Sequence, residues 1–228
     1  MQDPILIDKI IHSARRTISL IIQPDGTLTV RAPLRMPKSR IHEFVENHAD
    51  WIHRKQEQVQ ATPSPQKKDY HEGELFLFLG KEYPLQVLVQ SRTRLILKEN
   101  SFHISKAHLP EVREAFIRWY KLQAREVIAK RVALHAQENG LFWQKLRISS
   151  ARTRWGSCTG RGNLSFTWRL VLAPLEVIDY VVVHELVHTR IKNHSPAFWK
   201  MVAEIMPDYK QHVAWLKKNG RYLSLDGG

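Results

Sequence analysis

The chain has 228 residues, 43% of them hydrophobic and 25% charged, a composition that can bury a core and excludes a largely disordered protein. Its 35 Lys and Arg against 22 Asp and Glu leave a net charge of +13, which favours anionic partners such as nucleic acid, nucleotides or acidic protein. The single cysteine, Cys158, excludes an intrachain disulfide and suits a reducing cytoplasm; the chain shows neither a secretory leader nor an apolar run near the ~20 residues that span a bilayer.

The opening segment reads as a β-hairpin, with Thr17–Ile22 and Thr27–Val30 flanking Pro24-Asp25-Gly26, residues suited to a tight turn. Pro33 and Pro37 close that pattern. From Lys38 a helical period takes over: Ile41, Phe44, Val45, His48, Trp51 and Ile52 recur at three- and four-residue steps and predict one helix. The polar, proline-bearing stretch that follows sets the expected organisation. An N-terminal hairpin-and-helix region spans 1–62, a linker 63–69, and a catalytic region 70–228.

Short strands are expected at Leu75–Leu79, Tyr83–Val89, Arg94–Lys98 and Phe102–Ser105. A long helix then runs from Pro110, in its first turn, to Gly140, with Val112, Ala115, Phe116, Trp119, Leu122 and Val127 as its core stripe. A strand near Leu146–Ser149 precedes a second hairpin, Arg152–Cys158 and Leu164–Leu172 around a turn at 159–163. Pro174 opens a helix through His188. Two further helices are expected at about Pro196–Met206 and Asp208–Asn219.

The chemistry concentrates in His184-Glu185-Leu186-Val187-His188, followed by His194. Residues four apart on an α-helix lie one turn apart and only ~40° round the axis, so both imidazoles can grip one ion from the same side. Glu185 lies ~100° further round, where its carboxylate reaches a water on the metal without being a ligand. His184, His188 and His194 are therefore the expected ligands of one Zn²⁺, with an open fourth position, and Glu185 the general base. A chance occurrence of this motif with its third histidine has a probability on the order of 0.2%. The spacing to His194 matches the metzincin pattern, but Ile191 fills the slot where that pattern has a glycine. Asn193 is expected to supply the left-handed turn, with Ser195 and Pro196 opening the next helix. Glu204 is the alternative third ligand, and His212 a more distant one. His42, His48 and His135 read as surface or packing residues.

Ahead of the motif, the segment 163–172 is placed to border the cleft as a strand, and its edge can pair with an extended peptide. Trp155-Gly156-Ser157 can line the same cleft, although Trp155 and Trp168 each read first as core residues. Arg154 or Arg169 can stabilise an oxyanion or bind phosphate. Cys158 reads as a small buried thiol rather than a nucleophile.

The runs Thr153–Cys158, Trp168–Pro174, Val177–His188 and Asn193–Trp199 resemble the YgjP-like metallopeptidase family, which is related to the SprT-like and WLM zincins. The resemblance covers nearly the whole chain and is most specific in its C-terminal motifs. It implies an α+β fold with a zincin-like core, a mixed sheet packed on the active-site helix, preceded by the N-terminal hairpin and helix. It also places zinc on His184, His188 and His194 and the catalytic glutamate at Glu185. The expected substrate is a peptide or unfolded protein. Two alternatives stay open: a phosphorylated small molecule such as a nucleotide, drawn by Arg152, Arg154, Arg161 and Arg169, and a nucleic-acid-associated protease or binding module.

Overall fold

A computed structural model describes residues 5–23, 25–60, 67–89 and 91–226. Pro24 of the first turn, residues 61–62 at the end of the expected N-terminal region and residues 63–66 of the expected linker lie outside them. The chain divides into two compact units, Met1–Gln66 and Lys67–Asp226.

In the first unit, β1 (Lys9–Ser13), β2 (Ser19–Ile22) and β3 (Leu28–Pro33) form a sheet in the order β1-β3-β2. The antiparallel β2–β3 hairpin is the expected one. It turns at Gly26, whose φ of +87° favours glycine, and Asp25 Oδ1 accepts the Thr27 N–H at 3.0 Å. The parallel pairing of β1 with β3 was not expected, because nothing local to Lys9–Ser13 names a partner about twenty residues away. Leu28, Val30 and Ala32 alternate inward to meet Ile41, Val45 and Ile52. The single helix expected from Lys38 is two: α1 (Lys38–Glu46) and α2 (Ala49–Gln60). The break at Asn47-His48 carries 3-10-like bonding, His48 N–H to Val45 O at 3.0 Å, and it turns Trp51 toward solvent.

The second unit opens with β4 (Leu75–Phe78), β5 (Lys81–Leu88), β6 (Ile96–Lys98) and β7 (Ser101–Ser105), in the sheet order β4-β5-β7-β6. The β4–β5 turn has φ above zero at both Leu79 and Gly80, the geometry that matches the twist of a two-residue hairpin. A side chain at Gly80 would also strike Pro174, its Cβ 2.8 Å from the proline Cγ, so this turn packs against the start of the helix that follows Pro174.

α3 (Val112–Glu138) starts later than expected, since Pro110 falls within a preceding 3-10 turn, Lys106–Glu111. Its stripe also differs. Phe116, Tyr120, Ala124, Ile128, Val132 and Ala136 are buried, whereas Leu122 is 62% exposed and Trp119 and Val127 are only partly covered. A strict four-residue stride drifts ~40° per step, so the buried face winds round the helix. Near its start Phe116 stacks on Phe76, and then Tyr120 stacks on Trp168 at 5.6 Å. Further along, Arg131 reaches Asp179 on the helix that follows Pro174.

β8 (Lys145–Ser149), β9 (Gly156–Cys158) and β10 (Asn163–Thr167) make a mixed sheet in the order β8-β10-β9. The strand expected to run to Leu172 stops at Thr167, and Trp168–Leu172 forms a buried 3-10 turn. Helices α4 (Leu175–Val187), α5 (Pro196–Ile205) and α6 (Tyr209–Asn219) complete an α+β fold. Among the described residues, no helix is long and apolar enough to cross a membrane.

Candidate metal centre

α4 is buried along most of its length, from Val177 to Val183 and again at Leu186 and Val187. One polar residue is carried inside with those valines. Asp179 receives two hydrogen bonds from the Arg131 guanidinium, at 2.5 and 2.6 Å, and lies 3.3 Å from His135 Nε2. Burial works against its charge, but hydrogen bonds from His135 and Arg131 outweigh that and hold the carboxyl below its ordinary value. The pair locks α4 to α3 in rotation and in register.

His184 and Glu185 occupy the last turn of α4, and His188 caps its C-terminus. The chain then reverses without the expected left-handed Asn193, which is not among the residues of positive φ. Instead, Lys192 Nζ donates to the carbonyls of His188 and Thr189, both at 2.9 Å, capping the helix end. Arg190 donates to Gly140 O at 2.6 Å and ties the loop to the end of α3. Asn193 Oδ1 accepts the Ser195 N–H at 3.3 Å, an Asx-type turn that leads into α5.

The reversal returns His194 to the helix. Its Nε2 lies 3.0 Å from His184 Nε2 and 3.1 Å from His188 Nε2, and the ligand atoms of all three lie within 4.8 Å of one another. Tetrahedral zinc with bonds of 2.0–2.1 Å sets its nitrogens about 3.3–3.4 Å apart, so the donor set fits such an ion. His188 Nδ1 lies 3.0 Å from Ile191 O and donates to it, which leaves its Nε2 lone pair for the centre. His184 Nδ1 is buried and has no hydrogen-bond partner among the described residues. Phe198, fully buried on α5, packs 4.5–4.9 Å from all three rings and forms their floor.

Burial, aided by the neighbouring His188 and His194, pushes His184 down to about 4; burial also lowers His188. Both rings are thus neutral at neutral pH, the form that donates to a metal. Burial pushes the Glu185 carboxyl up to about 7, opposed in part by the Arg154 charge. Glu185 belongs to no ion pair or hydrogen bond among the described residues, and it borders a cleft of about 350 Å³ with Trp155, Tyr180, Val181 and Leu216.

Gly156 makes this approach of strand and helix feasible. A Cβ there would sit 2.6 Å from Glu185 Cγ and 2.7 Å from its Oε1. Gly156→Ala is expected to displace Glu185 or β9, cutting kcat/KM at least about tenfold and stability by about 1–3 kcal/mol while metal content holds. Steady-state kinetics beside metal analysis and thermal melting check this, and unchanged kinetics would refute the steric argument.

Other expected site residues fall elsewhere. Glu204 is exposed and faces Lys200 at 4.0 Å, outside the histidine cluster, and His212 faces Asp208 at 3.3 Å. Arg169 is buried, donates to Ser150 O at 3.2 Å and stacks on Trp168, while Arg152 and Arg113 grip Asp226. Arg152 and Arg169 are thus spent on structure, and of the two proposed oxyanion arginines only Arg154 acts on Glu185. Trp168 is core, but Trp155 is a half-buried cleft wall. The strand bordering the active helix is β9, not β10: β10 is paired on both sides, and β9 has one strand partner among the described residues. Burial raises the half-buried Cys158 thiol, which keeps it protonated and unlike an activated nucleophile.

A family model described as "YgjP-like, metallopeptidase domain" matches residues 16–219. Among solved structures, the metallopeptidase zymogen of Pyrococcus abyssi abylysin is similar at 19% identity and a TM-score of 0.38, over 41% of this chain and 96% of that one. No curated protein matches the sequence.

Proposed function

The chain belongs to the YgjP-like metallopeptidase family, and from that membership we propose that it is a zinc peptidase whose ion is held by His184, His188 and His194. The observation that carries this reading is the approach of three imidazole Nε2 atoms beside one buried, unpaired carboxylate, Glu185. When bound, zinc supplies a Lewis acid that polarises a carbonyl and lowers the pKa of water to about 7. Glu185, held against Gly156 and shielded from solvent, takes a proton from the attacking water and returns it to the leaving amine. A cation beside it would draw the carboxyl back toward its ionised, basic form. His188 keeps one tautomer through Ile191 O, and Phe198 fixes the planes of all three rings.

A peptide fits the cleft better than a phosphate does. β9 borders α4 and has no second strand partner among the described residues, so its other edge can add an extended strand, whereas Arg152 and Arg169 are already engaged by Asp226 or by backbone. The lone Cys158 agrees with a cytoplasmic setting, which we include in the proposal.

The purified chain is expected to carry one zinc per molecule and to cleave unfolded-protein peptides. A chelator should abolish cleavage and added zinc restore it, while His188→Ala should lose both metal and activity. Full activity in metal-free protein would end this reading.

A further inference from the structure

One wall of the groove beside Glu185 is built by α6. Its residues Val213, Leu216 and Lys217 face Trp155 and Val181 across the 350 Å³ cleft. A second cavity of about 410 Å³ adjoins it on the Trp199 and Tyr209 side, and the two share Val213 and Lys217. Lys210 and Lys217 are seven residues apart, within ~20° of the same helix face, with Val213 and Ala214 between them. One face of α6 therefore contributes to both cavities, with Val213 and Lys217 common to the two and Lys210 in the second.

Two further features mark this wall as built rather than incidental. Gly220 follows α6 with an ordinary helical φ of −56°, so it is not there for backbone freedom. A Cβ at that position would sit 2.9 Å from Trp155 Cζ2, so the glycine makes room for the indole against the end of α6. The groove is also charged in one sense. Its cations are Lys210 and Lys217, and its one carboxylate is Glu185, which the reaction uses. Neither lysine has an ion pair or hydrogen bond among the described residues.

Resting on the peptidase reading above, we propose that this groove selects the substrate: a peptide with a bulky apolar side chain beside the scissile bond and a carboxylate within reach of Lys217 and Lys210. The apolar side chain enters between Trp155, Val181, Val213 and Leu216. The carboxylate belongs either to an acidic residue or to the peptide's own C-terminus. An overall charge of +13 draws such acidic segments toward the chain.

The test separates binding from cleavage. Fluorescein-labelled ten-residue peptides are titrated by anisotropy into zinc-loaded Glu185→Gln protein, pairing Phe or Ala at one position with Glu or Lys nearby. Each is made with a free and with an amidated C-terminus. The Phe-Glu peptide is expected to bind about tenfold tighter than its Ala-Glu and Phe-Lys counterparts. In the same Glu185→Gln background, Lys217→Glu should reverse the charge preference, Lys217→Gln should abolish it without reversal, and Val213→Trp should remove the advantage of Phe over Ala. Weakening on amidation assigns the carboxylate to the C-terminus; binding that survives amidation assigns it to the acidic side chain. If Lys217→Glu, with zinc content and melting temperature intact, keeps both the original ratio of acidic to basic affinity and the original effect of amidation, the proposal is overturned. Cleavage of the same peptides by the unsubstituted chain is scored independently. Binding that discriminates with no cleavage of any peptide would remove the peptidase reading and leave the groove's selectivity standing.

Discussion

Glu185→Gln is expected to leave one zinc per chain in place and to lower kcat by about 10²–10⁴-fold, the range that a positioned general acid–base contributes. The prediction is sharp because glutamine has the same shape. Glu185 is 6% exposed and in contact range of Gly156, so a smaller replacement would open a void and a larger one would push β9 away. The amide keeps the packing and loses only the ability to take a proton. His184 and His188 are unaffected in position, so metal analysis of the variant separates loss of chemistry from loss of the centre. A variant that keeps zinc and turns over at the original rate would show that the proton goes elsewhere.

Asp179→Ala is expected to cost about 3 kcal/mol, or roughly 6–12 °C in melting temperature, because it strands the Arg131 guanidinium beside α4. The figure sits at the low end for a broken buried pair, since the Arg131 side chain remains 25% exposed and water can partly repair it. Asp179 lies five residues before His184 on the same helix, so loosening it frees the helix end that carries two of the imidazoles. Zinc affinity should weaken along with stability. The combined variant Asp179→Leu with Arg131→Met should recover most of the loss, since an apolar pair of similar volume leaves no buried charge. Calorimetry of the single and double variants checks this; equal melting temperatures for Asp179→Ala and the unsubstituted chain would mean the pair does not hold α4. The pH dependence has a definite sign. The folded carboxyl is held below its ordinary 3.8, so it binds a proton less readily in the folded chain than in the unfolded one. Its stabilisation is complete above that value and disappears as the pH falls through the folded value, and Asp179→Asn should flatten this acid limb.

The parts of this molecule that could be read from the chain are those whose cause is local. The first hairpin follows from Asp25-Gly26, and α4, α5 and α6 from prolines placed at or just before their first turns and an apolar period between. Two of the metal-facing residues follow from helix pitch alone, because four residues make little more than one turn. Where a segment's partner lies far off, the local pattern misled. The expected stripe on α3 is buried at Val112, Ala115 and Phe116 but not fully at Trp119, Leu122 and Val127, because the buried face follows Tyr120, Ile128 and Val132 as it winds past the sheet toward α4. Trp168–Leu172 alternates well enough for a strand, but it lies buried where a tight 3-10 turn lets Leu79 N–H reach Val171 O at 2.8 Å.

The sequence by itself pointed to metal-dependent hydrolysis, since the spacing of His184, Glu185 and His188 along one helix is a statement about covalent geometry and pitch. It also carried His194, though not the means by which the chain returns: a lysine cap and an Asx turn do the work expected of a left-handed asparagine. Only the tertiary structure decided which strand borders α4, which arginines Asp226 and the backbone engage, and which groove lies beside Glu185. Gly156 against Glu185, Gly220 against Trp155 and Asp179 against Arg131 are contacts between segments 29, 65 and 48 residues apart in the chain. Contacts at that separation leave no periodic trace in either segment, because each residue's role is set by the atom it meets and not by its neighbours along the backbone.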